Sequence, residues 1–287
     1  MQRFQFHSAR SIDEALSYLS DKRERCKIIA GGTDLIPALR LEDLHPEFIL
    51  DILEIEQLRG IQEEDDSIRI GPTATFTEMT ESGLLNRHFP LLVQAAASVG
   101  GPQVRNRGTL GGNIANASPA ADVLPAILAL EGDLELQSKA SGKRMIPLAH
   151  GIASPYKTSF RSDEMLTGIL IKKLPQGTRM AFEKLGRRNA MARARMNISI
   201  ILRLDKAGTI TELRIVPGAV MPVARRAKEA EQVLLGQKPA PSLIETSVEA
   251  LTQEMVKVTG QRWSTEYKVP VLKNIARRLL RQLLMSQ

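Results

Sequence analysis

Cysteine is almost absent from this chain, which has 287 residues and a single cysteine, Cys26. One thiol forms no internal disulfide and holds no iron–sulfur cluster by itself. Because Cys26 adjoins the apolar residues Ile28 and Ile29, we interpret it as a small buried hydrophobic residue rather than as a reactive thiol. We therefore expect no iron–sulfur centre in this chain.

Aromatic residues are also scarce, at 4% of the chain, although the formal net charge is +7. An excess of Lys and Arg (39) over Asp and Glu (32) suits either nucleic acid or an acidic partner. Because the charges are dispersed and few rings are present to stack on bases, we expect no nucleic-acid binding. An acidic partner subunit is the favoured explanation of the charge.

Residues for metal binding or acid–base catalysis do not cluster along the chain. Its four histidines are His7, His45, His88 and His150. They show no H-E-x-x-H motif and no paired spacing, so no metal site is predicted. No Ser-His-Asp or Cys-His arrangement has supporting neighbours, and no paired carboxylates stand out. The chain is expected to perform little acid–base chemistry of its own.

Long hydrophobic runs are missing as well. No apolar run approaches the roughly 18 residues that span a bilayer, and the first residues lack the apolar stretch of a signal peptide. These observations predict no membrane insertion and a cytoplasmic location.

Two glycine-rich segments are the most informative feature that is present: residues 30–34 (AGGTD) and 109–113 (TLGGN). Each places adjacent glycines beside a hydroxyl residue, which lets the backbone approach a ligand and direct its N–H groups outward, as in phosphate binding. A glycine pair after a strand also serves as a plain tight turn. Neither segment fits the G-x-G-x-x-G or the G-K-[ST] phosphate motif.

Hydrophobic periodicity predicts a small β-α-β-α-β unit at the start of the chain. A strand over residues 4–6 is followed by a capping box, Ser11 to Glu14, and a helix to about Leu19. Strands at 27–30 and 48–52 flank a short helix at 35–40. The first glycine segment then lies at the carboxyl end of a strand, where open sheets bind ligands.

Two further units follow. A second capping box at Thr75–Glu78 and strands at 68–70, 134–137 and 165–171 predict one more sheet with helices. An alanine-rich buried helix is predicted at 91–99. The third unit begins near Arg179, with strands at 181–185, 198–204 and 209–216 and an amphipathic last helix that follows 263–267. That helix carries an arginine-rich face opposite its apolar face.

The two glycine segments, with residues 70–75 (IGPTAT) between them and 118–122 (SPAAD) after them, resemble the FAD-binding subunit of the molybdenum hydroxylases, the xanthine dehydrogenase and carbon monoxide dehydrogenase family. The resemblance spans essentially the whole chain. It implies an α+β protein with a two-subdomain FAD-binding fold of the PCMH/vanillyl-alcohol-oxidase type at 1–175, its subdomains at about 1–56 and 57–175. A C-terminal domain with a three-stranded antiparallel sheet and helices is implied at 176–287.

The resemblance also implies the cofactor, FAD, and the residues that hold it. Binding is expected to be non-covalent, because neither glycine segment contains or adjoins a histidine or cysteine that would tether a flavin. The implied cofactor-binding residues are Ile29, Ala30, Gly31, Gly32, Thr33, Asp34, Leu35, Thr73, Val99, Thr109, Leu110, Gly111, Gly112, Asn113, Asp122, Leu166 and Lys184.

Several of these assignments leave alternatives open. Asp122 precedes an apolar helix and is expected as its N-cap as well as a contact of FAD. The basic position near the flavin is Lys184 or its neighbour Glu183, with the register uncertain by one residue. Asn113 and Asn116 either satisfy the backbone of their own turn or bind a ligand hydroxyl, and the resemblance favours the ligand for Asn113.

The roles of several arginines are also left open between two alternatives. Arg105 and Arg107 would pair with phosphate or with a surface carboxylate. A basic segment at 187–189 and 193–195 either lies near the isoalloxazine ring, as the resemblance implies, or is a solvated loop.

The function implied by the resemblance is electron transfer. A molybdenum-cofactor large subunit would oxidise the substrate, a small subunit with two [2Fe–2S] clusters would pass electrons singly, and FAD on this chain would deliver them to an acceptor such as NAD. Molybdopterin and the clusters would sit only on the partner subunits. The competing interpretations are a stand-alone flavin oxidase and a non-catalytic scaffold that has lost FAD, and the intact glycines argue against the scaffold.

Overall fold

The computed structural model describes residues 3–188 and 191–285. Asn189, from the predicted basic segment at 187–189, lies outside the described residues. The strands are β1 (Gln5–Ser8), β2 (Cys26–Ile29), β3 (Phe48–Asp51), β4 (Ile61–Glu63), β5 (Ser67–Ile70), β6 (Asp133–Ser138), β7 (Gly142–Pro147), β8 (Ile152–Ser154), β9 (Lys157–Thr158), β10 (Glu164–Lys172), β11 (Arg179–Gly186), β12 (Ala194–Leu204) and β13 (Ile210–Gly218). The α-helices are α1 (Ile12–Lys22), α2 (Leu35–Arg40), α3 (Phe76–Glu81), α4 (Gly83–His88), α5 (Pro90–Ala97), α6 (Pro102–Arg105), α7 (Leu110–Asn116), α8 (Val123–Ala129), α9 (Leu148–Gly151), α10 (Lys228–Leu234), α11 (Pro241–Thr259) and α12 (Thr265–Met285).

The chain packs as two compact units, each built from several segments. The first contains the residues up to Leu84, Val99–Ser118 and Glu131–Lys172. The second contains Leu85–Ser98, Pro119–Leu130 and the residues from Lys173 onward. The domain boundaries implied by the resemblance, 1–175 and 176–287, follow chain order and stay a prediction.

The first unit begins with a parallel sheet in the order β1-β3-β2. Helix α1 packs its apolar face, Ala15, Leu16 and Leu19, into one buried cluster with Leu50 of β3. The periodicity of the sequence predicted this β-α-β-α-β unit, and the structure confirms it. The turn after β2 therefore lies at the carboxyl end of a parallel strand.

Cys26, at the start of β2, is buried in the same cluster. Loss of hydration raises the pKa of its thiol to about 11. A thiol with that pKa stays protonated at neutral pH, so its interpretation as a buried hydrophobic residue is confirmed.

The two predicted capping boxes have different outcomes. At Thr75 the box is complete, because the Thr75 hydroxyl accepts from the Glu78 N–H and the Glu78 carboxylate accepts from the Thr75 N–H. At Ser11 the hydroxyl caps the Glu14 N–H at 3.2 Å, but the Glu14 carboxylate accepts from the Arg10 N–H instead. The second half of the Ser11 box was therefore wrong, and α1 runs to Lys22 rather than ending near Leu19.

A second sheet of the first unit has the order β4-β5-β10-β6-β7 and is antiparallel throughout. A β-bulge in β10 lies between Leu166 and Gly168. A β-carbon on residue 168 would lie 2.4 Å from the Arg69 guanidinium, which would have to move to admit it. Arg69 in turn donates to the Glu135 carboxylate at 2.7 Å.

The second unit is organised on the antiparallel sheet β11-β12-β13. Helices α10, α11 and α12 share a buried core with Ile198 and Ile200 of β12. Helices α5 and α8 pack against strands of this sheet as well. The three-stranded antiparallel sheet expected in the C-terminal region is confirmed.

The last helix, α12, buries the apolar face predicted from its periodicity, including Leu272, Ala276 and Leu283. Its polar face is largely neutralised inside the unit, since Arg277 and Arg281 both pair with Glu245. No helix within residues 3–188 and 191–285 is long and apolar enough to cross a membrane.

Candidate functional site

The first glycine segment is an irregular turn between β2 and α2. Gly32 has a φ of +71°, a conformation that glycine adopts without strain. Its carbonyl accepts the Ile36 N–H at 3.0 Å and so fixes the start of α2. The N–H groups of Gly31, Gly32 and Thr33 have no hydrogen-bond partner within the described part of the chain. All three residues are partly exposed, so these donors are available to a ligand.

The two glycine segments meet inside the first unit. A β-carbon on Gly31 would lie 1.8 Å from the carbonyl oxygen of Arg107 and 3.0 Å from Cα of Gly108. Because Thr109 follows directly, the structure brings together the two segments that lie far apart in the sequence.

The second glycine segment is not a loop but the first turn of a helix. Thr109 is the N-cap of α7, and its hydroxyl accepts the Gly112 N–H at 3.1 Å. The Leu110 and Gly111 N–H groups donate to the carbonyls of Ala74 and Pro72. The expectation that this segment directs its N–H groups outward is therefore wrong for Leu110, Gly111 and Gly112, because the unit itself uses these donors.

Gly111 is needed for packing. A β-carbon there would lie 2.6 Å from the Pro72 carbonyl oxygen. The next residue, Thr73, is buried and donates its hydroxyl to the Leu58 carbonyl at 2.6 Å. The Thr73 oxygen keeps only its acceptor capacity for a ligand.

Asn113 carries an unsatisfied polar atom in this region. Its N–H donates to the Thr109 carbonyl as part of α7, but its side-chain Oδ1 is buried and has no hydrogen-bond partner within the described residues. An unpaired buried acceptor costs about 1–3 kcal/mol. A ligand that carries a hydrogen-bond donor would pair this atom, which has that property in common with Oε1 of Gln137, Oδ1 of Asn197 and the hydroxyl of Ser199.

Arg105 bonds to backbone carbonyls rather than to a carboxylate. Its guanidinium donates to the carbonyls of Val99 and Gly100 at 3.1 and 3.3 Å. Within the described residues Arg105 therefore forms no pair with a carboxylate but closes the turn before α6, and its pairing with phosphate stays a prediction. Arg107 is exposed and forms no ion pair with the residues described.

The remaining predicted residues of the first unit are apolar or exposed. Ile29, Ala30 and Leu35 flank the first turn and are partly buried, and Asp34 is exposed. Leu166 lies on β10 opposite Leu136 and is 7% exposed. A strand leucine of this kind shows no chemistry beyond packing.

The second unit holds a buried ion pair between two predicted residues. Lys184 on β11 donates to the Asp122 carboxylate at 2.6 Å and to the Ser98 carbonyl at 2.7 Å. The neighbouring Glu183 instead pairs with Arg278 on α12. Lys184, rather than Glu183, is therefore the partner of Asp122, and which of the two lies near the flavin stays a prediction.

Asp122 occupies the N-cap position of α8, but its side chain makes no capping hydrogen bond. It accepts instead from Lys184 and, at 3.2 Å, from the side-chain amide of Asn197. Burial raises the pKa of the Asp122 carboxyl, and Lys184 and Asn197 oppose that rise. The expected capping role is wrong because the carboxylate turns toward the sheet.

Asn197 was missed by the sequence interpretation. It is 1% exposed and also donates to the Ala121 carbonyl at 3.2 Å. It lies 75 residues from Asp122 in an apolar strand, where nothing local marks it. A polar residue inside the apolar run of β12 is the one signal that the sequence offers.

Within the described residues, no group of three or more His, Cys, Asp or Glu side chains is placed to hold a metal ion.

Known protein families match this chain in two consecutive segments. Residues 2–173 match the family model of the FAD binding domain in molybdopterin dehydrogenase, and residues 180–283 match that of the CO dehydrogenase flavoprotein C-terminal domain. The 6-hydroxypseudooxynicotine dehydrogenase complex subunit alpha of Paenarthrobacter nicotinovorans is 31% identical, over 96% of this chain and 93% of that protein. The xanthine dehydrogenase FAD-binding subunit of Escherichia coli O157:H7 is also 31% identical, over 96% of this chain and 94% of its own length.

A solved structure extends the similarity to the fold. The carbon monoxide dehydrogenase of Hydrogenophaga pseudoflava contains a chain that superposes with a TM-score of 0.91 at 30% identity. The superposition covers 98% of this chain and 96% of that one. With both family models matched and the fold shared, this chain belongs to the family of FAD-binding subunits of the molybdopterin dehydrogenases, which are oxidoreductases with FAD as the cofactor of this subunit.

Proposed function

We propose that this chain is the electron-transfer subunit of a molybdenum hydroxylase complex, which receives electrons from the [2Fe–2S] clusters of a small partner subunit and passes them to an acceptor such as NAD. When bound, FAD supplies the exchange between one-electron and two-electron transfer. A large subunit with the molybdenum cofactor oxidises the substrate in this proposal. The family match supports an FAD-binding subunit of this class. The partner subunits and the electron acceptor are inferred from the resemblance.

The observation that carries FAD binding is the set of unpaired N–H groups at Gly31, Gly32 and Thr33. Pyrophosphate oxygens are acceptors that such a cluster of backbone donors suits. The two glycines leave no side chain between the donors and the ligand. The residues of this turn therefore fit a dinucleotide cofactor, and we propose that they bind its pyrophosphate.

Asn113 supplies the complementary group. Its unpaired Oδ1 is an acceptor for a hydroxyl or amine of the cofactor, which would remove the cost of leaving that atom unpaired. The α7 N–H groups at 110–112 are already used. We propose that the Asn113 side chain binds the cofactor, while the first turn of α7 fixes where that side chain lies.

In the second unit, burial raises the pKa of the Asp122 carboxyl and Lys184 opposes that rise. The carboxyl accepts hydrogen bonds from Lys184 and Asn197. Its role and that of Lys184 in cofactor binding follow from the resemblance and stay proposals.

The experiment that tests FAD binding is the visible absorption spectrum of the purified chain before and after acid precipitation. We expect flavin absorption that acid releases into the supernatant, because neither glycine segment contains or adjoins a histidine or cysteine that would tether the flavin. A colourless chain that takes up no added FAD would contradict the proposal.

The acceptor is tested separately. Anaerobic NADH should bleach the flavin absorption of the FAD-loaded chain if NAD is the acceptor, whereas a chain reduced only by dithionite would exclude NAD. Co-expression with the candidate molybdenum and [2Fe–2S] subunits, followed by size-exclusion chromatography, tests the assembly, and a chain that never co-elutes with them would contradict it.

A further inference from the structure

Three cationic side chains gather where β12 and α12 begin, in the second unit. The Arg195 guanidinium carbon lies 5.3 Å from the centroid of the Tyr267 ring. Lys268 donates to the Ala219 carbonyl at 3.0 Å. Arg262, just before α12, is held by a hydrogen bond from its N–H to the Thr265 hydroxyl at 2.9 Å.

These three cations lack acidic partners. None of them forms an ion pair with any residue in 3–188 or 191–285. The pKa of Lys268 is lowered by burial first and then by Arg262 and Arg195, so each cation adds to a common positive potential. Glu266 is exposed in the first turn of α12 and forms no ion pair with them.

The rest of α12 shows the opposite arrangement. The cations farther along α12 all form ion pairs: Lys273 with Glu249, Arg277 with Glu245, Arg278 with Glu183 and Arg281 with Glu245. The positive charge left without a partner is therefore confined to one end of the helix rather than spread along it.

Two aromatic rings accompany this charge. Trp263, the only tryptophan of the chain, is 93% exposed, and Tyr267 is 43% exposed. A fully exposed indole gains nothing from folding the chain itself. Trp, Tyr and Arg are the residues that contribute most energy at protein–protein interfaces when a partner covers them.

We propose that Arg195, Arg262, Trp263, Tyr267 and Lys268, here called the Trp263 surface, dock an acidic patch of another protein chain, one whose carboxylates flank an apolar recess for the indole. A nucleic acid is disfavoured, since the neutralised arginines of α12 leave no extended basic stripe to follow a phosphate backbone. The proposal goes beyond electron transfer and does not depend on FAD.

The chain contains its own probe for this surface. Emission from Trp263 reports only on this site, because no other tryptophan is present. The full chain is titrated with a glutamate-rich peptide that carries interspersed leucines, and in parallel with the same peptide in which serine replaces leucine. Inorganic phosphate, NAD and a short DNA duplex are the other probes.

We expect the leucine-containing peptide to shift the emission of Trp263 to shorter wavelength, to protect it from acrylamide quenching, and to bind more tightly than the serine version. Raising the ionic strength should weaken the binding. The triple variant Arg195→Gln, Arg262→Gln, Lys268→Gln should bind about tenfold more weakly. The control is the triple variant Lys139→Gln, Lys206→Gln, Lys238→Gln, which changes the net charge equally at exposed positions and should bind as the unmodified chain does.

Three results would overturn the proposal: an unchanged Trp263 emission with both peptides, equal weakening in the control variant, or a change in Trp263 emission that shows phosphate, NAD or DNA to bind at the Trp263 surface more tightly than the leucine-containing peptide. Because none of these readouts uses the flavin, they are distinct from a failure of FAD binding.

Discussion

Gly31 faces the carbonyl of Arg107 so closely that no side chain fits between them. A β-carbon on residue 31 would lie 1.8 Å from that carbonyl oxygen. The contact joins the turn with unpaired N–H donors to the segment that leads into α7. Gly31 is therefore required both for the position of the donors and for the packing of the first unit.

Replacing Gly31 by alanine should disturb both. We expect Gly31→Ala to lower the free energy of unfolding by about 1–3 kcal/mol, because backbone must move to admit the methyl group, and to lower the FAD content of the purified chain. Urea unfolding and flavin absorption per chain measure the two effects. The matched control is Gly83→Ala, since Gly83 has open space around it and lies at the start of α4. A Gly31→Ala chain with unchanged stability and flavin content would contradict the packing argument.

The unpaired acceptor of Asn113 predicts that one substitution changes the stability of the FAD-free chain and its affinity for FAD in opposite directions. Asn113→Leu should raise the stability of the FAD-free chain by about 1 kcal/mol, because an unsatisfied buried oxygen is removed. The same change should weaken FAD binding about tenfold or more, since a hydrogen bond to the cofactor is lost. Isothermal titration with FAD and urea unfolding of the FAD-free chain provide the measurements.

Gln137 offers the comparison for Asn113, because its Oε1 is also buried without a partner but lies outside the predicted cofactor residues. Gln137→Leu should raise stability without changing FAD affinity. Equal loss of affinity in both variants would show that Asn113 acts only through the fold.

The Arg69–Glu135 pair predicts a dependence of stability on pH. Arg69 and Thr167 lower the pKa of Glu135 to about 2 against the desolvation that opposes them. A depressed pKa means that the stabilisation is fully present above the ordinary value near 4.5 and is lost as the pH falls toward 2. Glu135→Gln should therefore cost on the order of 1–3 kcal/mol at pH 7, and the difference from the unmodified chain should shrink below about pH 4.5.

Urea unfolding of the unmodified chain and of the Glu135→Gln variant, repeated as the pH is lowered, measures this difference in stability. Glu245→Gln is the control, because Glu245 forms its ion pairs at the surface, where solvent screens them. A stability difference for Glu135→Gln that stays constant down to pH 3 would contradict the assignment.

The buried pair of Lys184 and Asp122 predicts strong coupling. Lys184→Met should cost about 3–5 kcal/mol, because Asp122 is left as a buried charge without its cation. The double variant Lys184→Met, Asp122→Asn should recover much of that loss. Lys273→Met, which removes a half-exposed pair with Glu249, should cost less than about 1 kcal/mol. Losses that simply add in the double variant, measured by urea unfolding, would rule out the coupling.

Local patterns in the sequence predicted much of the fold. The Thr75–Glu78 box, the short helix α2 and the strands around the first glycine segment depend on residues a few positions apart, so their signals are visible in the sequence. The same holds for the apolar face of α12. The helix α7 was not predicted, because two glycines disfavour a helix, although Thr109 before Leu110 is an N-cap signal.

The parts that the sequence did not reveal depend on distant residues. Asp122 has the position of an N-cap, yet its partners, Lys184 and Asn197, lie 62 and 75 residues away. A strong charge-assisted hydrogen bond to Lys184 outweighs a weaker local cap, and only the folded chain shows which is available. Arg105 is a similar case, since its carbonyl acceptors have no signature in sequence.

The buried thiol of Cys26 has a practical consequence for spectroscopy. Because its pKa is raised to about 11 and no other cysteine exists, the chain presents no thiolate to an alkylating reagent at neutral pH. A cysteine introduced at an exposed position is then the sole site of labelling. A spin label or dye placed in this way beside Trp263 or Gly31 would measure distances to a bound flavin without first removing any native residue.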